Sequence, residues 1–114
     1  MADVSMLEML SGYLKITTDR QQVIASNMAN VDTPGYHTRD VNFRQAMQEV
    51  MNPGGEPGME TTSLEIQGLP ERADGNNVNI DRESMLLSET QLQYQMGVQL
   101  IKERFHTLLT AIKD

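Results

Sequence analysis

Apolar and small polar residues recur along the first quarter of the chain with gaps alternating between three and four: Leu7, Leu10, Leu14, Thr17, Gln21, Ile24, Met28 and Val31. That spacing lays one stripe along one side of an α-helix, in the manner of a coiled-coil seam. Helix formers fill the positions between, and Gly12 is the one break. The stripe predicts a helix over about residues 4–31, roughly 40 Å long at about 1.5 Å per residue. So narrow a stripe on so long a helix makes no core alone and calls for a partner helix.

The same alternation returns near the other end: Ile80, Ser84, Leu87, Gln91, Tyr94, Val98, Ile101, Phe105, Leu108 and Ile112. It predicts a second helix over about 81–113, with Asp81 as its N-cap, Glu83 near the positive end and Lys113 at the negative end. Leu86, Leu92, Met96, Leu100 and Leu109 widen this stripe beyond two positions per heptad, so the second helix meets more than one neighbour.

Between the stripes the pattern breaks. Pro34 biases Thr33 away from the α region, and Pro34-Gly35 suits the central positions of a type II turn. Asn42 can cap a short helix, with Gln45 three residues on and Phe43, Met47 and Val50 on one face. Turn and short helix together occupy 32–51. The stretch 52–78 follows, rich in Gly and Pro (Pro53, Pro57 and Pro70) and acidic, with Leu64, Ile66 and Leu69 able to make a brief extended piece. Such a composition buries too little to offset its ordering entropy, so it reads as a flexible loop. The expected fold is therefore all-α and a single domain over 1–114: two long terminal helices forming a coiled-coil hairpin, with an irregular Gly/Pro-rich middle loop. One helix pair leaves apolar surface uncovered, which predicts self-association.

Composition narrows the function. In 114 residues there are 9 Lys+Arg against 16 Asp+Glu, a balance that argues against nucleic acid and against an anionic membrane surface. Without Cys there is neither a disulfide nor a thiolate metal site. No apolar run is long enough for a membrane span, and the N-terminal segment lacks the positive start and apolar run of a cleaved signal peptide. His37 and His106 are far apart and form no ligand pair, and no phosphate-binding Gly loop occurs. Asp74-Gly75-Asn76-Asn77 fails the calcium-loop template at Val78, Asn79 and Met85 and reads as a turn before a helix cap. The carboxylates show neither pairing nor an apolar setting that would raise a pKa. Met28 and Met96 read as packing side chains. The expectation is no enzyme, no cofactor, no metal and no small-molecule substrate.

Composition leaves unexplained the segment Ser26-Asn27-Met28-Ala29-Asn30-Val31-Asp32-Thr33-Pro34-Gly35-Tyr36. Two asparagines at i and i+3 are poor helix formers near a helix end, and their amides can bind free carbonyls or a neighbouring backbone. Here the sequence resembles the flagellar axial proteins, the rod, hook and hook-filament junction family. Their first helix ends S-N-x-A-N and continues x-x-T-x-G-[YF]. The form Asp32-Thr33-Pro34-Gly35-Tyr36, followed by Arg39-Asp40-Val41-Asn42-Phe43, is similar to the B-type proximal rod members in particular. Asn77-Val78-Asn79-Ile80-Asp81-Arg82-Glu83 and Leu92-Gln93-Tyr94-Gln95-Met96 resemble the helix entry and L-x-Y-Q-x motif of the same members. The E-M-V-x-x-I-x-A-x-R-x-Y-like stretch usual in other axial proteins is missing.

The resemblance implies a structural subunit of the flagellar basal-body rod. Copies would stack helically with other proximal rod proteins, the rod adaptor to the membrane ring and the membrane-ring protein, in a periplasm-spanning, torque-transmitting shaft. It also implies type III export without a cleaved signal peptide. On this reading Asn27 and Asn30 make polar contacts at subunit boundaries, Thr33-Pro34-Gly35-Tyr36 redirects the chain, and Asp32, Tyr94 and Gln95 complete the motifs. Leu10, Leu14, Ile24, Met28, Tyr94, Val98, Ile101, Phe105 and Leu108 hold the helix pair and its neighbours. A small acidic helical secretion chaperone or coiled-coil regulator is the alternative.

Overall fold

The computed structural model describes residues 2–52 and 62–113. Helix α1 spans Ala2–Ala29, strand β1 Arg39–Val41, helix α2 Phe43–Met51, strand β2 Ser63–Glu65 and helix α3 Ile80–Lys113. The fold is thus mostly helical, with two long terminal helices. The all-α expectation needs one correction: β1 and β2 pair antiparallel as a two-stranded sheet, with Asp40 opposite Leu64. Strands of three residues are too short for a period-2 pattern to show in sequence.

The terminal helices lie side by side and run in opposite directions. Asn27, near the end of α1, meets Glu83 in the first turn of α3. Leu14 and Tyr13 lie against Gly97, and Met6 and Leu10 line a cleft with Leu100, Arg104 and Thr107. Leu10 and Ile24 are buried, while Leu14 and Met28 are half-buried. The line of α3 most deeply buried is Glu83, Thr90 and Gly97, one residue away from the apolar stripe read in the sequence. Ser84 and Gln91 are exposed, Val98, Ile101 and Leu108 half-buried, and Tyr94 and Phe105 are 40% and 54% exposed. The reason is steric. Thr90 and Gly97 on the inner line are small and let α1 approach, and the bulky apolar residues flank that line or face away.

Helix α1 has a second covered face, which its seam does not reveal. Ile16, Val41 and Ala46 form a buried cluster, with Val23, Phe43 and Met47 packed against it. Tyr13 meets Phe43 edge-on, ring centroids 5.5 Å apart. Arg20 grips Asp40 with two bonds, Nε to Oδ1 at 3.0 Å and Nη2 to Oδ2 at 3.1 Å, tying α1 to β1. Helix α2 starts as the sequence predicts, with the Asn42 side chain accepting from the Gln45 amide at 3.1 Å. Gly12, read in the sequence as a break, is where Val50 packs on α1: a Cβ there would lie 2.5 Å from Val50 Cγ1. So α1 sits between α3 on one side and the β1–α2 layer on the other.

The described part of the middle segment is bonded to the rest of the chain. From 62 to 79 it is anchored by β2, by the Ile66 amide on the Thr38 carbonyl at 3.0 Å, and by Arg39, which donates to the Ser63 carbonyl at 2.7 Å. The remainder of the expected loop, 53–61, lies outside the described residues.

At Gly97 the long helices approach each other closely. A Cβ added there would lie 2.7 Å from Leu14 Cδ2. Gly97→Val should cost about 1–3 kcal/mol by forcing α1 and α3 apart, with helix propensity returning less than about 1 kcal/mol. Leu14→Ala in the same chain should recover part of that loss. Urea unfolding followed by circular dichroism checks both.

Candidate functional site

The end of α1 is where the two sequence motifs meet. The helix stops at Ala29, and the Asn30 side chain closes the last turn by donating to the Ser26 carbonyl at 2.8 Å. Thr33 donates its hydroxyl to Asn30 Oδ1 at 3.0 Å. The turn then forms at Pro34-Gly35, with the Tyr36 amide bonded to the Thr33 carbonyl at 3.2 Å and Gly35 at φ +74°. That φ requires glycine rather than a branched side chain. Asp32 and Pro34 are exposed.

Asn27 is fully buried, and its whole bonding capacity is used inside the chain. Its Nδ2 donates to the Arg39 carbonyl at 2.8 Å and to Glu83 Oε1 at 2.6 Å. Its Oδ1 accepts from the Tyr36 hydroxyl at 2.9 Å and the Arg39 amide at 3.1 Å. An asparagine amide offers two donors and two acceptor positions, and here all four are filled. Asn27, expected at a subunit boundary, is instead an internal tie between α1, β1 and α3, and the bonds of Asn30 are likewise within the chain. The same geometry explains Tyr36, whose ring carries its hydroxyl back to α1.

A second asparagine group completes the junction. Asn76 Nδ2 donates to the Asn30 and Thr33 carbonyls at 2.9 and 2.8 Å, satisfying the open end of α1. Asn77 Oδ1 accepts from the Thr38 amide and hydroxyl at 2.6 and 2.8 Å. Arg72 donates to the carbonyls of Val78 and Val31. The Gly35 amide reaches the Asp74 carbonyl at 2.8 Å, and Gly75, at φ +82°, packs directly on Gly35. The cap of α3 is Asn79, whose Oδ1 accepts from the Asp81 and Arg82 amides at 3.0 and 3.1 Å. Asp81, expected to cap, lies one residue inside the helix, where its charge suits the positive end.

Sequence reading missed Glu83, Asn76, Asn77, Thr38 and Arg72 as members of this site. One signal was available: three asparagines within Asn76-Asn77-Val78-Asn79, immediately before a helix. Glu83 contradicts the expectation that no carboxylate has an unusual setting. It is fully buried. Loss of hydration raises its pKa and Asp40 adds to the rise, against the opposing pull of the Asn27 bond, Arg82 and Arg20.

Tyr94 and Gln95 do not join this junction. They lie on α3 more than ten residues beyond Glu83, roughly 16 Å or more along the axis. His37 sits 3.5 Å from Glu65 and 3.1 Å from Glu71, a surface clamp between β2 and the segment after it. Among the described residues no three His, Cys, Asp or Glu are grouped to hold a metal, and no helix is long and apolar enough to cross a membrane.

Asn27→Asp tests the junction, because it keeps the shape and removes both donors. The Arg39 carbonyl and Glu83 would then face an oxygen. The expected loss at neutral pH is on the order of 3 kcal/mol, read as a fall in the urea midpoint.

The family model described as flagella basal body rod protein matches residues 14–37, the end of α1 and the turn after it. The flagellar basal body rod protein FlgB of Aeromonas hydrophila is 33% identical, over 88% of this chain and 86% of the relative. The FlgB proteins of Salmonella typhimurium and Escherichia coli K12 are each 29% identical, over 88% and 89% of this chain and 87% and 88% of their own lengths. With a one-third identity spread over nearly the whole of both chains, and with the matched helix end and turn built as described, this chain belongs to the FlgB family of flagellar basal body rod proteins.

Proposed function

We propose that the chain is a structural subunit of the flagellar basal-body rod, and that its terminal helices act as a coiled-coil hairpin packing helically with copies of itself and with other proximal rod proteins. The observation that carries this is the outer side of α3. Met85 and Leu92 are 64% and 58% exposed, two residues beyond the inner positions Glu83 and Thr90 and so across the helix from α1. Met96 lies on the same side, and Leu100, Phe105, Leu109 and Ile112 are exposed at other angles around the rest of the helix. A free monomer rarely leaves so much apolar surface open to water. Tyr94 and Gln95, the motif residues outside the junction, are exposed on the same helix.

Roles divide accordingly. The junction of Asn27, Asn30, Thr33, Pro34, Gly35 and Tyr36 fixes the angle at which the chain leaves α1. Leu10, Leu14, Ile24, Met28, Val98, Ile101 and Leu108 serve the helix pair, and Phe105 and Tyr94 face neighbouring subunits. The rod adaptor to the membrane ring and the ring protein are the further partners. The site of action is the periplasm-spanning rod, where the subunit transmits torque, reached by type III export without a cleaved signal peptide. The chaperone alternative draws no support from the relatives, which are rod proteins by name.

Complementation of a strain lacking its own copy tests this reading. The wild-type chain should co-purify with basal bodies and restore swimming. Leu92→Ser with Met96→Ser should abolish both while leaving the chain's helix content unchanged. Gly35→Val meets no steric clash, since nothing lies within 4 Å of its added Cβ, yet it resists positive φ and should also block assembly. A wild-type chain that stays out of basal bodies, or normal swimming with these variants, would sink the proposal.

A further inference from the structure

Glu83 is a carboxylate at the meeting point of α1, β1 and α3, fully buried, and no assembly role uses it. Burial of a carboxylate is tolerated when hydrogen bonds and a paired cation replace its water. Here the replacement is incomplete. Oε1 accepts from Asn27 Nδ2 at 2.6 Å, and among the described residues Oε2 has only the Arg82 Nη1 contact at 3.3 Å. Arg82 is its sequence neighbour on α3 and is partly exposed, so its charge is shared with solvent. From α1 the facing cation is Arg20, which is already engaged by Asp40 through both of its bonds. From β1 the facing group is Asp40 itself, a like charge.

We propose that Glu83 takes up a proton from water as α1, β1 and α3 close around it, so that closure of this junction is coupled to pH. The proton sits on Oε2, the oxygen with the single long contact, and Oε1 keeps the Asn27 bond. Loss of hydration, which raises the pKa of Glu83 in the folded chain, acts in the same direction. The sign of the linkage follows. A group whose folded pKa lies above its unfolded value stabilises the fold while protonated, and that stability is lost as pH rises through the folded pKa. The closed junction is therefore favoured by mild acid and opposed by alkali, the reverse of a carboxylate held in a salt bridge. The coupling is a property of the single chain and does not depend on the rod reading.

The test compares wild type, Glu83→Gln and Glu89→Gln by urea unfolding between about pH 5 and about pH 8. Glu89 is exposed on the same helix, so its variant removes an equal charge without burial. The wild-type folding constant should fall by up to about tenfold per pH unit between the unfolded and the folded pKa of Glu83, and level off above the folded one. Glu83→Gln should flatten that slope and be the most stable of the three at the alkaline end, while Glu89→Gln should follow wild type. Equal slopes for wild type and Glu83→Gln overturn the proposal, and so does a Glu83→Gln chain less stable than wild type at every pH. Should Glu83→Gln not fold, carbon NMR of side-chain carboxyls in the wild-type chain decides. One glutamate should titrate well above the rest, and its absence overturns the proposal equally.

Discussion

Three elements of this fold are joined through one primary amide. Asn27 receives a hydroxyl and a backbone amide on its oxygen and gives both hydrogens, one to a carbonyl and one to a carboxylate. Substitution by an apolar residue would remove all four bonds at once, and substitution by a carboxylate would set two of them oxygen against oxygen. The path of the chain after α1 depends on it. Tyr36 must fold back, β1 must begin at Arg39, and α3 must enter with Glu83 inward. The two-stranded sheet and α2 follow from that placement, because β1 leads directly into the Asn42 cap.

The parts of the fold readable in the sequence are those specified locally. Both long helices announce themselves by their spacing, the Pro34-Gly35 turn by the fixed φ of one residue and the positive φ of the other, and α2 by its capping asparagine. What was not readable depends on partners far along the chain. Nothing near Arg39-Asp40-Val41 shows that Ser63-Leu64-Glu65 will pair with it. Glu83 looks like an ordinary first-turn acid until α1 covers it. Asp81 and Asn79 are both good caps by residue type, and only the start of α3 at Ile80 decides between them. Asn27 could be marked as unusual in a helix, but not assigned partners.

The inner line of α3 shows why hydrophobic spacing misjudged the facing surface. Glu83, Thr90 and Gly97 repeat every seven residues, yet none is a large apolar residue. Their contribution is a hydrogen bond, a hydroxyl returned to the Leu87 carbonyl at 2.9 Å, and an empty space for Leu14. Bulk lies on the flanks and the outer side. A search for the greasiest stripe therefore finds the surface with the most to hide, which is not the one a single chain hides.

The seating of Gly75 on Gly35 has a further consequence. These residues lie forty positions apart in sequence, yet a Cβ added at Gly75 would lie 3.4 Å from the Gly35 Cα. The turn that leaves α1 and the turn that precedes α3 therefore set one another's place, and a side chain grafted onto either would be felt at both long helices.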